Sequence, residues 1–164
     1  MSWSDRRSVL ALLAAAPLAA CGFTPAYGPN GPARALRGRI AYQEPTDPNA
    51  FELVKQLEVQ FGRPEAATHR LTYSLTVSAQ AGGYTTANAI TRYVLNGSAV
   101  WSLEEIATQQ RVAGGTATGF TSWSAAGTTI SSQVASDDAS RRLMVILADQ
   151  IGTQILAASV DMTP

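Results

Sequence analysis

Nucleophilic and metal chemistry are short of parts in this chain, which carries one cysteine, one histidine and a single lysine in 164 residues. Cys21 has no second cysteine to pair with, so an internal disulfide is excluded and stability must come from packing. His69, the lone histidine, supplies neither a zinc ligand set nor a triad base with partners, and just before a strand pattern it reads as a solvated boundary residue. Asp137 and Asp138 are adjacent, and neighbours on a helix point about 100° apart, so they suit the positive end of a helix dipole better than a metal. Glu104 and Glu105 read as a solvated turn. Gly114, Gly115 and Gly119 lack phosphate-loop spacing and sit in a strand pattern, where glycine marks a bulge or a close backbone approach. No catalytic set, metal site or cofactor is expected; the chain does not read as an enzyme. Charge of either sign is also missing in excess, with 12 basic and 12 acidic side chains, so no nucleic-acid footprint is expected. Every fixed positive charge except Lys55 is an arginine, either for its fork of donors or through mutational bias in a GC-rich genome; both readings stand.

A long apolar run is absent too. The run at 9–16 falls well short of the roughly 20 residues needed to span a bilayer. Arg6 and Arg7 precede it, and small residues and Cys21 follow, which is the order of a secretory signal peptide. The Leu18-Ala19-Ala20-Cys21-Gly22 ending resembles the lipobox of bacterial lipoproteins. That resemblance implies cleavage before Cys21 and acylation of its thiol, so that lipid, palmitate included, tethers the mature chain. The Arg6-Arg7 pair partly resembles a twin-arginine export signal, and without the rest of that pattern the general secretion route is favoured. From Cys21 onward 144 residues remain, enough for one domain with a core.

Residues 21–37 open with three prolines and three glycines in a short span and read as a flexible tether, in which Phe23 and Tyr27 are the bulky exceptions. The domain is expected over 38–160. A short strand at 39–43 is followed by a helix with Asp47 as cap and Pro48 at its first position. Its expected apolar stripe is Phe51, Val54, Leu57 and Phe61, ending at Gly62 and Pro64. Leu71, Tyr73, Leu75, Val77 and Ala79 then alternate strictly with Thr72, Ser74, Thr76 and Ser78, a strand apolar on one face and hydroxylated on the other. A second long strand puts Tyr93, Leu95, Ala99, Trp101 and Leu103 on one parity. A third runs over about 110–123 with its packing face undecided. After a loop at 124–132, a long helix capped at Ser132 or Ser136 carries Leu143, Ile146, Leu147, Ile151, Ile155 and Ala158 as its stripe. The fold class is α+β: a two-layer sandwich in which a mainly antiparallel sheet of about four strands packs on two helices. Leu75, Leu95 and Trp101 are expected under Phe51, Leu57, Leu143, Ile146 and Ile151.

The order of parts resembles the LPS-assembly lipoprotein LptE family. The match rests on the Cys21-Gly22-Phe23-x-Pro25-x-Tyr27-Gly28 start, the Thr91-Arg92-Tyr93 strand opening, and Asp138-Ala139-Ser140-Arg141-Arg142 in the last helix. The resemblance implies a non-enzymatic lipoprotein on the periplasmic side of the outer membrane. It would plug an LptD-like barrel, bind lipopolysaccharide and help deliver it to the outer leaflet. The hydroxyl-rich face suits a polar barrel lumen, with small positions such as Ser98 and Gly119 facing the partner. Arg92 and Arg111, with Arg70 behind them, are the candidates for lipopolysaccharide phosphates. No lysine or arginine lies between Ser124 and Ser140, so relatives with a basic residue there have no counterpart in this chain. The alternative is a periplasm-facing lipoprotein that binds a small apolar ligand or another envelope protein.

Overall fold

The computed structural model describes Gly28 and residues 31–159. The signal segment, Cys21 and most of the expected tether lie outside the described residues. The elements run in the order α1 (Pro32–Leu36), β1 (Ile40–Tyr42), α2 (Pro48–Phe61), β2 (His69–Tyr84), β3 (Ile90–Glu105), β4 (Arg111–Ser124) and α3 (Thr129–Ser159). The four strands form one sheet in the order β1-β2-β3-β4, with the helices on one side. The two-layer α+β reading holds, with one addition. Residues 32–36, read as the end of the tether, form the short helix α1, and its Ala33 and Leu36 are buried in the core.

Helix α2 begins where Asp47 Oδ1 accepts from the backbone N–H of Asn49 (2.9 Å) and Ala50 (3.0 Å), with Pro48 needing no partner at the first position. It stops at Gly62, whose φ of +81° is open to glycine and strained for other residues. The buried face is Ala50, Leu53, Val54, Leu57 and Phe61. Phe51 was expected in that stripe and is 61% exposed instead. At 100° per residue it falls about 120° from Leu57, past the edge of the packed face. The β1-α2-β2 unit is the one parallel pairing among the described residues, Ile40 facing His69 and Tyr42 facing Leu71, and α2 is its crossover. The Tyr42 hydroxyl donates to the Gly62 carbonyl at 3.1 Å. Burial, and then the nearby Glu58 carboxylate, push its phenol well above the usual tyrosine range.

The hairpins β2-β3 and β3-β4 are antiparallel, and their registers decide the faces. Tyr73, Trp101 and Gly115 line up across the sheet, as do Leu75, Ala99 and Ala117, and Val77, Gly97 and Gly119. The odd-numbered parity of β4 faces the helices, which settles the strand left ambiguous by its sequence: Ala117 and Thr121 are buried and Phe120 is turned out. Leu95 and Trp101 are buried as expected, whereas Leu75 is only partly covered.

Helix α3 starts at Thr129, earlier than the expected caps Ser132 and Ser136, so the loop is shorter than 124–132. Thr128 Oγ1 accepts from the Ser131 N–H (3.2 Å), while Ser131 Oγ donates back to the Thr128 carbonyl (2.8 Å). Asp137 and Asp138 therefore lie past the first turn. Asp138 pairs with Arg142 (2.9 Å) and Arg141 (3.4 Å), and Asp137 accepts from Gln133, so the expected dipole role does not hold. At 1.5 Å per residue the 31-residue helix runs about 46 Å along the sheet. No helix among the described residues is long and apolar enough to cross a membrane.

The helix sits close because the strands beneath it carry small residues. A Cβ on Gly97 would lie 2.8 Å from Leu143 Cδ2, and one on Gly119 would lie 2.8 Å from Ile146 Cγ2. Gly119 thus belongs to the internal packing, which corrects its expected place on a partner surface. Beside α3, the Gln60 side-chain amide of α2 donates to Asp149 Oδ1 at 2.8 Å and packs on Gly152. The same helix closes the outer edge of β4. Gln150 accepts from the Thr118 N–H (3.0 Å) and donates to its carbonyl (2.8 Å). Gln154 donates to the Thr116 carbonyl (3.1 Å) while accepting from the Trp101 indole (2.7 Å), and Arg142 reaches the Ser122 carbonyl (3.4 Å). These side chains recur at multiples of four, on one line of the helix.

Candidate functional site

Turned away from the helices, the even-numbered positions build an outer face. Its rows read Ser74-Val100-Thr116, Thr76-Ser98-Thr118 and Ser78-Asn96-Phe120 across β2, β3 and β4. No charged side chain stands in these rows. Short hydroxyl side chains point out of the pleat at every second residue, as the alternation of β2 required. Phe120, 70% exposed, and Val100 are the large apolar groups exposed in these rows.

Charge is confined to its two ends. At the end where β2 starts, Arg70, Glu104 and Arg111 lie side by side in register. A bulge there, with Glu104 opposite Arg111 and Leu103 opposite Ala113, lets Val112 turn toward the core and Arg111 stay outside. The Arg111 guanidinium lies over Gly114 and donates from Nε to the Ala113 carbonyl (3.3 Å). Arg92, paired with Ser124, stands at the opposite end of the sheet. Twelve residues separate Arg92 from Glu104 along β3, about 40 Å at 3.3 Å per residue. The three candidate arginines therefore split into a pair and a single residue. Among the described residues the ion pairs are Lys55–Glu52, Arg63–Glu58 and those of Asp138, and none uses Arg70, Arg92 or Arg111.

Near Arg92, on the helix side of the sheet, the strand ends and the start of α3 enclose a cleft of about 430 Å³. Tyr93 and Trp123 form its floor, stacked with centroids 5.0 Å apart and planes 19° apart. Ile90, Thr128, Ser132 and Gln133 make its walls. The sequence put Tyr93 on the core parity and left Trp123 undecided; their meeting depends on the β3-β4 register, which no local pattern encodes. His69 lies at the opposite end, its Nδ1 2.9 Å from Thr68 Oγ1. Among the described residues no group of three or more His, Cys, Asp or Glu side chains comes together.

A sheet of this order, with a long helix laid along it and a shorter one beside, is a fold shared with bacterial lipoproteins. No family model matches the sequence, and no curated protein matches it. Among solved structures, a chain from Caulobacter crescentus classed provisionally as a lipoprotein is similar at a TM-score of 0.66 and 16% identity, over 78% of this chain and 96% of that one. Rare lipoprotein B from Shewanella oneidensis is similar at 0.59 and 8% identity, over 76% and 96%. A lipoprotein B from Nitrosomonas europaea is similar at 0.57 and 10%, over 74% and 84%. At these identities the likeness establishes the fold.

Proposed function

We propose that this chain is an LptE-like lipoprotein of the outer membrane, anchored through Cys21 on the periplasmic side. Its domain would seat inside an LptD-like barrel that passes lipopolysaccharide to the outer leaflet. The observation that carries this reading is the outer sheet face, where the three hydroxyl-rich rows lie between charges held at its ends. A barrel lumen is polar, and a neutral hydroxyl surface can be buried against it without stranding an unpaired charge. The fold shared with rare lipoprotein B, which is LptE, supports the same reading, as does the Cys-Gly-Phe-x-Pro-x-Tyr-Gly opening. No catalytic role or cofactor is part of it.

Within this reading Arg92 is the leading candidate for a lipopolysaccharide phosphate, because its cross-strand neighbours are Gly83 and Ser124 and include no carboxylate. Arg70 and Arg111 flank Glu104, which offsets part of their charge. The cleft at Tyr93 and Trp123 is where a second reading, a periplasm-facing lipoprotein that binds a small apolar ligand or another envelope protein, would place a ligand. Its hydroxyl and amide walls give a small apolar molecule little to bind.

The test is to purify tagged protein from detergent-solubilised membranes together with a coexpressed LptD-like barrel. We expect a stoichiometric complex that retains lipopolysaccharide, less of it in Arg92→Glu, and an acylated N-terminal peptide starting at Cys21. Wild-type protein that runs alone in every detergent and retains no lipopolysaccharide would remove the plug reading.

A further inference from the structure

Strand β2 is 16 residues long, yet its outer neighbour β1 pairs with only three of them, His69 to Leu71. Gln43 extends that cover by one step: its N–H donates to the Leu71 carbonyl (2.9 Å) and its side-chain oxygen accepts from the Tyr73 N–H (3.1 Å). These bonds fix which way the backbone faces. Residues 71 and 73 point their backbone groups outward, so by the two-residue period those of Leu75, Val77 and Ala79 do as well. Among the described residues no other strand lies on that side. Helix α2 runs from Pro48 back to the β1 end, where the Phe61 carbonyl accepts from the Gly38 N–H (2.7 Å) and the Gly62 carbonyl from the Tyr42 hydroxyl (3.1 Å), so it leads away from this stretch. Leu75 and Val77 are accordingly only partly covered. An open edge is ordinarily blunted by charge, proline, a bulge or a covering element. Residues 74–80 contain no charge and no proline, and the register shifts begin only past Ala81.

We infer that the edge of β2 at Leu75, Val77 and Ala79 is a strand-docking site, and that its occupant is an extended, uncharged segment of the barrel partner. The inference rests on the function proposed above and names the surface that partner uses. The docked segment would exchange main-chain hydrogen bonds with these three residues. Its alternate side chains would be apolar over Leu75 and Val77, and small and polar on the hydroxyl side. A second copy of this chain fits less well. In any antiparallel register of two β2 edges, either the irregular residues 81–84 of each copy oppose the regular stretch of the other, or the hairpin tip meets residues already paired with β1.

Amide exchange tests this directly, on the full lipoprotein alone and in its purified complex with the coexpressed barrel. Free protein should exchange rapidly at Leu75, Val77 and Ala79 and slowly at Thr76 and Ser78, whose backbone groups face β3. In the complex the three edge amides should slow by at least about 100-fold, since each gains an acceptor. Val77→Pro removes an unpaired donor and is tolerable on an edge, so the free domain should keep its fold while barrel recovery falls at least about tenfold. An intact complex in which the edge amides stay fast, or in which Val77→Pro is recovered normally, overturns the docking site and leaves the plug reading standing. Protection of these amides in a homodimer without the barrel overturns the assignment of the occupant. Failure of the wild-type protein to bind the barrel at all removes both.

Discussion

The two long edges of this sheet are treated in opposite ways. Along β4, side chains of α3 take up the outward backbone groups of Thr116, Thr118 and Ser122. Along β2, no comparable side chain reaches the backbone of Leu75, Val77 or Ala79 among the described residues. One edge is finished within the chain and the other is left unfinished. The difference follows from where the helices lie. The 31-residue α3 crosses above Gly97, Gly115 and Gly119, which brings it down onto β3 and β4. The 14-residue α2, about 21 Å long, is too short to follow β2 beyond the end that β1 covers. A domain that needed both edges closed for its own solubility would not be built this way.

The largest expected effect is on the element that separates the edges. Leu143 is fully buried and packs directly over Gly97. Leu143→Ala should cost about 2–5 kcal/mol in urea unfolding, as for other large-to-small core changes. Leu75→Ala, on the open side, should cost well below that range because its side chain is only partly covered. Equal losses at the two positions would mean that the β2 side is as tightly packed as the β4 side, and the comparison would fail.

Next comes Gln150, whose amide makes two bonds to Thr118. Gln150→Leu should cost about 1–2 kcal/mol, from two hydrogen bonds of modest net worth each. It should also open a second edge, seen as concentration-dependent association in size-exclusion chromatography. A fully monomeric Gln150→Leu variant at high concentration would show that Gln154 and Arg142 suffice to keep β4 closed.

Much of this was legible in the residues, and the gaps have physical causes. The faultless alternation of Leu71 to Ala79 with Thr72 to Ser78 gave the face assignment of β2, and Asp47-Pro48 gave the start of α2 to the residue. The edge caps were not read, although Arg142, Gln150 and Gln154 share one line of α3; polar residues off an apolar stripe look alike whether they meet water or a strand. Gly119 was misassigned for a related reason. Glycine signals close approach without saying from which side, and the answer came from Ile146. The candidate arginines were correctly placed at strand ends, but only register shows that Arg70 and Arg111 share one end with Glu104 while Arg92 stands at the other.

A smaller effect is expected at Tyr42, where β1 stops covering β2. Tyr42→Phe should cost about 1 kcal/mol at neutral pH through loss of the bond to Gly62. Its pH dependence has a definite sign. Burial raises the folded-state pKa above the unfolded value of about 10, so the neutral phenol's contribution is whole below that pH and is lost as pH rises through and beyond it. Wild-type protein should therefore lose more stability than Tyr42→Phe between about pH 9 and 11. Parallel losses would assign the alkaline transition to another group.

The smallest effect should be at Tyr73, where the open stretch of β2 begins. Its hydroxyl is buried and has no hydrogen-bond partner among the described residues, and burial followed by the Asp47 carboxylate raises its pKa. A buried hydroxyl that makes no bond carries a desolvation cost of about 1 kcal/mol or more, so removing it should relieve that cost. Tyr73→Phe keeps the ring and its packing. The free domain should be unchanged or slightly more stable, by up to about 1 kcal/mol in urea unfolding. Tyr42→Phe, one strand away, should move in the opposite direction. If Tyr73→Phe instead destabilises the free domain by as much as Tyr42→Phe does, the hydroxyl is satisfied in solution. Water would then reach the helix side of β2 at the point where its strand neighbour ends, and the open edge would be wetter than its geometry indicates.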